Sequence, residues 1–416
     1  MTSTPIQAAL LAKLEALQRA PTAPFREEWA LAALDGMLAD IPGLEREEDR
    51  FGNRIVRLRR GRPAGARAAV GTMVPTFVAH VDHPGFLFPE QGAADREDAP
   101  SLEYGEFGPR AGLLRDGEAF LYDALFEGRV EDGFFVDAPV RLYRSADDPG
   151  VAGRVAGCSA LRPHTDDRVA VIATRDPAEG ARLAMWDVAP FAYMAGDGLI
   201  RARACDDLAG VAALVEALAR LGDESDADVK AAGGIDLCVV FTRAEEAGFC
   251  GALALMNEPE LPSLVPDDTI FVSVEISSER PGVEVGGGAV VRVGDRASTF
   301  DGAFADALWS VARARGARAR RALMDGGTCE ATAFARAGRR CGGVCAPVRH
   351  YHNMDRTTGR IGPEAVSLGD VEALVDLIAG IARGPAAAPP AVTLDFEMFL
   401  RKGRELLAAP AEAVRS

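Results

Sequence analysis

The chain has few histidines, few aromatic residues and no excess of positive charge. Among its 416 residues, 46 are Lys or Arg and 62 are Asp or Glu, so the formal net charge is −16. Phosphates would be repelled by that charge, which argues against nucleic acid as a partner. No apolar run reaches the roughly 18 residues of a membrane-spanning helix, so no membrane partner is expected. Aromatic residues are only 6% while hydrophobic residues are 48%, so Ala, Val and Leu must pack most of the core.

The seven cysteines are odd in number and scattered along the chain. Three of them, Cys205, Cys238 and Cys250, lie inside apolar segments. This pattern favours buried thiols in a reducing compartment over disulfides. The first 17 residues have neither a basic start nor a sustained apolar stretch, so no secretory signal is expected. A cytoplasmic location is therefore predicted.

Four of the five histidines lie in two short motifs. The first is His80-Val-Asp82-His83 and the second is His350-Tyr-His352. Between these motifs stand three acidic groups: Asp206-Asp207, Glu245-Glu246 and Glu275. Imidazole and carboxylate groups are ligands of divalent transition metals. The order His-x-Asp, Asp, Glu-Glu, Glu and His predicts two divalent ions that share one carboxylate. Such a site hydrolyses amide bonds with a metal-activated water.

Apolar strand patterns alternate with helical patterns over much of the chain, which predicts a three-layer α/β/α domain. We expect this catalytic domain to be discontinuous, formed by residues 1–93 and 198–384. Residues 94–197 are rich in glycine, acidic residues and short alternating runs, and they predict a small, mostly β inserted domain. Residues 385–416 read as a Pro/Ala linker followed by a C-terminal amphipathic helix. Strands are expected at 54–58, 69–81, 235–241, 269–274, 289–293 and 341–348, and helices near 208–221, 251–256, 303–314, 328–337 and 371–382.

Four of the acidic and histidine groups follow a predicted strand directly. His80 and Asp82 end one strand, Glu245-Glu246 follow the next, Glu275 ends a third, and His350-Tyr-His352 follow a fourth. Ligands bind beyond the carboxyl ends of strands in open α/β sheets. We therefore expect these segments to deliver their side chains to one edge of the sheet.

Each group taken alone has an ordinary structural interpretation. Asp206 and Asp207 can cap the helix that follows them. Glu245-Glu246 can be a solvated loop pair, Glu275 an exposed strand end, and His80 a hydrogen-bonded core histidine. These separate explanations would all have to apply at once to motifs that happen to stand in the order of a metal site. The joint pattern therefore favours the metal site.

The ordered motifs resemble those of the dinuclear zinc exopeptidases, most closely the tetrahedral (glutamyl and deblocking) aminopeptidase family. The matching segments extend from residue 80 to residue 352. They are His80-Val-Asp82-His-Pro-Gly-Phe, Ala204-Cys-Asp206-Asp207-Leu-Ala-Gly210, Glu245-Glu246-Ala-Gly-Phe-Cys-Gly251-Ala, Val274-Glu275, Gly326-Gly-Thr328 and Arg349-His-Tyr-His352. The long gap before Asp206 is where this family carries its small β domain, whereas the amidohydrolase branch places its lid after the third ligand.

The resemblance implies a role for each position. One metal ion would be held by His80, Asp206 and Glu275, and the other by Asp206, Glu246 and His352. Asp82 would accept the second ring N–H of His80, and Glu245 would be the general base. Two divalent ions per subunit are implied, with zinc first and cobalt or manganese as alternatives. Extended backbone would place His350 and His352 on one face, so either could be the ligand, although the offset from Arg349 favours His352.

Several positions depart from the family pattern. His83 stands where the family usually has Glu, and Leu208 where it usually has Arg. Glu275 replaces the more common Asp, and Cys329-Glu330 follow the Gly-Gly-Thr segment that usually precedes Asp. These departures leave the implied metal ligands in place and bear on the substrate preference and the assembly.

Three functions are therefore weighed. The first is a metallo-aminopeptidase acting on small peptides. The second is a metal-dependent deacylase acting on N-acyl amino acids or related amides, which the departures motivate. The third is a non-catalytic binding protein on a peptidase fold, although no ligand or base has been lost. The resemblance also implies a homo-oligomer, with a twelve-subunit shell as the family's form.

Overall fold

The computed structural model describes residues 4–61, 74–88, 110–114, 117–160, 168–383 and Arg401. The fifth histidine, His164, and part of the expected insert lie outside the described residues. The expected linker and C-terminal helix also lie outside them, apart from Arg401. Elements are numbered in chain order. The helices are α1 (Pro5–Arg19), α2 (Glu28–Ala39), α3 (Cys205–Gly222), α4 (Asp226–Ala231), α5 (Cys250–Asn257), α6 (Gly302–Ala314), α7 (Glu330–Arg336) and α8 (Leu368–Ala382).

An eleven-stranded mixed sheet forms the centre of the larger unit. Its strands are β1 (Leu44–Glu48), β2 (Arg54–Arg60), β3 (Val74–His80), β11 (Ala192–Met194), β12 (Leu199–Ala202), β13 (Ile235–Thr242), β14 (Thr269–Ser278), β15 (Ala289–Asp295), β16 (Ala319–Met324), β17 (Cys341–Arg349) and β20 (Glu364–Ser367). The order is β1-β2-β13-β3-β14-β17-β20-β12-β11, and β15 joins β17 to β16. The neighbours β13, β3, β14 and β17 are parallel, so their carboxyl ends meet at one edge.

Helices cover both faces of this sheet. The core on one face is formed with α1, α2, α3, α6 and α8. The core on the other face is formed with α5 and α7. Strand β13 is buried along its whole length, as expected of a parallel strand covered on both sides. The three-layer α/β fold class is confirmed. No helix of the described residues is long and apolar enough to cross a membrane.

A second sheet of seven antiparallel strands forms the smaller unit. Its strands are β4 (Gly85–Leu87), β5 (Arg110–Leu114), β6 (Gly117–Glu127), β7 (Pro139–Tyr143), β8 (Val151–Ala160), β9 (Arg168–Thr174) and β10 (Leu183–Trp186). The order is β4-β10-β7-β8-β9-β6-β5, and a further pairing of β4 with β6 closes six of the strands into a barrel. A two-stranded ribbon, β18 (Met354–Asp355) with β19 (Arg360–Ile361), completes the described strands.

A cluster of aromatic side chains forms the core of the barrel. Phe86, Phe126, Phe135 and Trp186 pack against one another with ring centroids 4.8–5.8 Å apart. Pairs at this separation add to the free energy gained from burial.

The extent of the barrel differs from the expected insert of residues 94–197. The barrel begins before residue 94, because its first strand, β4, starts at Gly85, almost directly after the first histidine motif. The last strand of the barrel, β10, ends at Trp186, before residue 197. Ala192–Met194 already pairs with β12 of the large sheet. The motif that ends β3 is thus linked to the barrel by only a few residues. The division into domains itself stays a prediction.

Candidate metal centre

Six of the seven predicted site residues line one cavity at the carboxyl edge of the central strands. The cavity has a volume of about 340 Å³. The six are His80, Asp206, Glu245, Glu246, Glu275 and His352. His80 ends β3, the glutamate pair follows β13, Glu275 lies in β14, and His352 follows β17. Asp206 lies at the start of α3, where a cis peptide bond joins it to Asp207.

Asp206 lies between two histidines. Its Oδ1 atom is 3.6 Å from Nε2 of His80, and its Oδ2 atom is 3.6 Å from Nε2 of His352. On the far side, Nε2 of His352 is 3.0 Å from Oε1 of Glu246. Ligand atoms of His80, Asp206 and Glu246 all lie within 4.8 Å of one another. A single carboxylate can therefore reach the neighbourhood of both imidazoles.

Glu275 lines the same cavity but stands apart from that three-residue group. Its Oε1 accepts a hydrogen bond of 2.7 Å from the hydroxyl of Ser273, two residues earlier on β14. The guanidinium of Arg292, which is buried, lies on the same side and attracts this carboxylate. The structure therefore brings Glu275 to the site with one oxygen already bound.

Several buried atoms of the site make no hydrogen bond among the described residues. They include Oδ1 of Asp206, Oε1 of Glu246 and Nε2 of His352. A buried polar atom without a partner costs free energy, and such atoms are uncommon in native structures. Two imidazole nitrogens with several carboxylate oxygens match the ligands of zinc, cobalt and manganese. The residues present therefore fit divalent ions, and metal binding would satisfy these atoms.

The second nitrogen of His352 fixes its orientation. Nδ1 donates a hydrogen bond of 2.7 Å to the backbone carbonyl of Arg129, which leaves Nε2 facing the cavity. His350 does not line the cavity, and its Nδ1 lies 3.0 Å from the carbonyl of Pro363. Of the two histidines between which the sequence left a choice, His352 is the one at the site.

Asp82 lies beside His80, as the resemblance implies, and also contacts the glutamate pair. The Nδ1 atom of His80 is 3.2 Å from the backbone carbonyl of Asp82 and 3.5 Å from its carboxylate. The carboxylate also accepts hydrogen bonds of 3.0 Å from the backbone N–H groups of Glu245 and Glu246. Its backbone orients the histidine, while its side chain holds the glutamate pair.

Two residues that the sequence did not single out as functional bind the backbone of the predicted metal ligands. The buried carboxylate of Glu364 accepts from the backbone N–H of Asp206 at 3.0 Å and of His352 at 2.8 Å. His83 contacts the carbonyl of Asp206 through Nδ1 and the side chain of Asn353 through Nε2. His83 was visible only as a departure from the family pattern, and Glu364 had no motif around it.

Mutual proximity of the carboxylates changes their ionisation. Burial and the neighbouring acidic groups raise the pKa of Glu245 well above its ordinary value. Burial also raises the pKa of Glu275 to about 7, despite the nearby imidazole of His80. Asp206 is the exception, because its contacts with His352 and His80 outweigh burial and hold its pKa below the usual range. The raised pKa values of Glu245 and Glu275 mean that ionising these carboxyl groups costs free energy, and a nearby cation would offset this cost.

The imidazoles respond in the opposite sense. Burial alone would lower the pKa of His80, but Glu245, Asp206 and Asp82 outweigh it, and the pKa is raised well above the ordinary value. His352 behaves in the same way, with Glu246 and Asp206 as the acidic neighbours. A cation between these groups would replace the protons that the imidazoles otherwise attract.

A second cavity of about 510 Å³ adjoins the first. The two share lining residues, among them Glu275, Thr328 and Tyr351. The larger cavity is lined by five arginines: Arg129, Arg168, Arg280, Arg292 and Arg356. It is large enough to hold a substrate side chain next to the metal centre.

Residues 185–374 match the model of the M42 glutamyl aminopeptidase family. Asp206, Glu245, Glu246, Glu275 and His352 fall inside this stretch, and His80 precedes it. Among curated proteins, none is similar enough to match the chain.

Solved structures of peptidases share the fold over almost the whole chain. The TET1 peptidase of Pyrococcus horikoshii, described as assembling into a tetrahedron or a large octahedral shell, is 20% identical, with a TM-score of 0.62 over 90% of this chain and 99% of that one. An aminopeptidase from the archaeon Desulfurococcus kamchatkensis is 18% identical, with a TM-score of 0.64 over 91% and 95%. An M18-family aminopeptidase from Thermotoga maritima is 13% identical, with a TM-score of 0.59 over 92% and 97%.

The family match and these shared folds agree with the motifs that led to the resemblance, which is thereby confirmed. The chain carries the M42 glutamyl aminopeptidase signature over residues 185–374 and is a hydrolase of the metallo-aminopeptidase class.

Proposed function

We propose that the chain removes N-terminal residues from short peptides with two divalent metal ions, and that Glu245 is the general base. The observation that carries the proposal is the position of Asp206. Each of its oxygens lies 3.6 Å from a different histidine, His80 on one side and His352 on the other. This arrangement suits one carboxylate that bridges two ions.

The ligand sets are those implied by the family motifs. His80, Asp206 and Glu275 would hold one ion, and Asp206, Glu246 and His352 would hold the other. The buried atoms without hydrogen-bond partners support this assignment. Zinc suits the donors, and cobalt or manganese can take its place. When bound, two such ions lower the pKa of water and polarise the scissile carbonyl.

Glu245 moves the proton. Its carboxylate lines the cavity with Oε2 at 3.9 Å from Nε2 of His80. It takes a proton from the attacking water and later gives it to the nitrogen of the leaving amine. Burial raises its pKa, which strengthens it as a base and allows it to hold the proton between the two steps. Asp82 keeps the backbone of Glu245 in place through its hydrogen bond to the N–H group.

We further propose that the chain is a homo-oligomer, with twelve subunits as the form to test. The support is that the TET1 peptidase of Pyrococcus horikoshii is described as a tetrahedral or octahedral shell. A closed shell would admit only short or unfolded peptides. Light scattering at micromolar protein is expected to give a mass of many subunits, and a monomer would contradict the assembly without touching the chemistry.

The test of the chemistry is Glu245→Gln in metal-loaded protein. Removal of a general base costs about 10²–10⁴-fold in rate, so kcat should fall by that factor. Metal content should stay at two ions per chain, because Glu245 is not a ligand. Glu260→Gln, which changes an exposed glutamate, is the control. Full peptidase activity in Glu245→Gln would mean that the assigned base is wrong.

The substrate class is tested with matched peptides, free and N-acetylated, followed by mass spectrometry. Stepwise loss of N-terminal residues from the free peptides alone is expected. Release of acetate with the free peptides untouched would replace the aminopeptidase proposal with the deacylase one.

A further inference from the structure

Glu27 is a fully buried carboxylate that belongs to none of the metal-site motifs. It lies just before α2, far from the glutamate pair in sequence. Its Oε1 accepts the backbone N–H of Phe25 at 2.7 Å and of Ala244 at 2.9 Å. Its Oε2 accepts a hydrogen bond of 2.7 Å from Nε of Arg243. Glu27 thus contacts the two residues directly before Glu245.

The segment that Glu27 contacts has an unfavourable backbone conformation. Ala244 has a φ of 50°, in the left-handed region that residues with a Cβ adopt rarely. Such a conformation persists only where the surroundings hold it in place. A contact that fixes the N–H group of Ala244 therefore acts on the direction in which the chain enters Glu245.

Two carboxylates together accept hydrogen bonds from three successive backbone N–H groups. Glu27 binds the N–H of Ala244, and Asp82 binds those of Glu245 and Glu246. Each hydrogen bond to an ionised acceptor is stronger than one between neutral groups. The backbone from Ala244 to Glu246 is thus held from two sides, by the N-terminal segment and by the end of β3.

The turn between β1 and β2 supports the same segment. Arg243 donates from its side chain to the carbonyl of Phe51 at 2.9 Å and from its backbone to Oδ1 of Asn53 at 3.1 Å. Asn53 in turn donates to the carbonyl of Gly251 at 3.1 Å. Arg243 offsets part of the charge of Glu27. Burial and the nearby carboxylate of Asp82 outweigh it and raise the pKa of Glu27 to about 7.

We infer that Glu27 is a positioning residue for the general base. It does not line the cavity, and it acts through the backbone of Ala244, which sets where the carboxylate of Glu245 points. The inference rests on the proposed role of Glu245. It adds a residue from the N-terminal segment to the catalytic apparatus, outside the stretch that matches the family model.

The test compares Glu27→Ala, Glu27→Gln and Glu28→Gln in the metal-loaded full chain. Glu27→Ala removes all three contacts, and a displaced catalytic group can cost about 10²-fold, so kcat should fall by roughly 10–100-fold. KM and the two bound ions should stay unchanged. Glu27→Gln keeps an oxygen for both backbone N–H groups and should recover most of the activity. Glu28, an adjacent partly exposed residue paired with Arg182, is the matched control and should behave as wild type.

A double variant separates this inference from the proposed function. If Glu27 acts through Glu245, then Glu27→Ala combined with Glu245→Gln should be no slower than Glu245→Gln alone. Multiplied losses in the double variant would overturn the inference and leave the role of Glu245 intact. Full activity of Glu245→Gln alone would instead overturn the proposed base.

Two further outcomes would also overturn the inference. One is Glu27→Ala with a lowered Tm but a wild-type kcat for the folded fraction, which would make Glu27 purely structural. The other is a loss of bound metal in proportion to activity, which would make it a support of the ligands. Should Glu27→Ala fail to fold, Glu27→Asp keeps the charge and shortens the reach, and it should lower kcat while KM and metal content hold.

Discussion

The two cavities that meet at Glu275 differ in how their charges are balanced. The candidate metal centre gathers Asp206, Glu245, Glu246 and Glu275 around two imidazoles, and several of their buried atoms make no hydrogen bond within the described chain. The neighbouring cavity gathers arginines, and three of them already have acidic partners. These ion pairs are Arg356–Glu131, Arg280–Asp325 and Arg168–Asp132.

This contrast separates a site that needs external charge from one that does not. Crowded carboxylates in a buried place raise one another's pKa and remain short of positive charge until cations arrive. The arginine-lined cavity is close to neutral by itself, so a substrate there must compete with pairs that already exist. Substitutions in the first cavity should lower metal binding or the catalytic rate. Substitutions at the rim of the second cavity should change the kinetic constants only slightly.

Asp206→Asn should produce the largest effect. The amide offers one neutral oxygen in place of the shared carboxylate, so both ions lose a ligand. Loss of several kcal/mol of metal-derived stabilisation corresponds to at least about 10³-fold in kcat/KM. Metal analysis and peptidase kinetics on the same samples check the prediction, with Asp325→Asn as the control from the second cavity. Two tightly bound ions and normal activity in Asp206→Asn would remove the bridging role.

Glu330→Gln should change how stability depends on pH. Burial raises the pKa of Glu330 to about 8 from 4.5. The folded state therefore binds more protons than the unfolded state between these values, and the contribution of Glu330 to stability falls as pH rises through that window. At about 1.4 kcal/mol for each pKa unit, the effect is at most a few kcal/mol.

The measurement is chemical denaturation of chelator-treated protein between pH 5 and pH 8. Glu330→Gln should gain stability relative to wild type as pH rises, because the variant has no buried carboxyl to ionise. If the free energies of unfolding of wild type and variant differ by the same amount at pH 5 and pH 8, the prediction is contradicted. That result would show that the pKa of Glu330 is the same in the folded and unfolded protein.

Arg356→Ala should have the smallest effect. Its partner is Glu131, and both side chains are more than half exposed. Exposed ion pairs contribute about 0–1 kcal/mol, so kcat/KM should change by less than about threefold and Tm only slightly. Glu131→Gln should give the same small change. A tenfold change in KM in either variant would show that this rim pair takes part in substrate binding, which would blur the contrast between the cavities.

Much of the larger unit could be predicted from the sequence because its signals are local. The largely apolar run of β13 and the helical spacing of α3 each identify their element within a few residues. The glutamate pair and the second histidine motif follow such runs, so parallel strand ends bring them together. The short strands β16 and β20 have no comparable run, and the sequence did not predict them.

The supporting residues could not be predicted in the same way. Glu27 and Glu364 are single glutamates, and each binds backbone N–H groups of residues far away in sequence. Backbone groups leave no pattern of residue types, so nothing in the sequence marks their partners. For the same reason, the contacts of the Asp82 carboxylate with the backbone N–H groups of Glu245 and Glu246 could not be predicted.

The order of strands has one consequence for the dimensions of the site. His80 on β3 is in register with Thr242 on β13. The pairing of β3 with β14 ends at Val78 and Ser273, two residues before His80 and Glu275 on their strands. Neighbouring strands lie about 4.8 Å apart. The spacing of the strands therefore fixes the distances between the backbone positions of the predicted ligands on neighbouring strands, independent of side-chain flexibility. A single residue inserted into β3 would turn His80 to the opposite face and abolish the site, although the sheet itself would still be able to form.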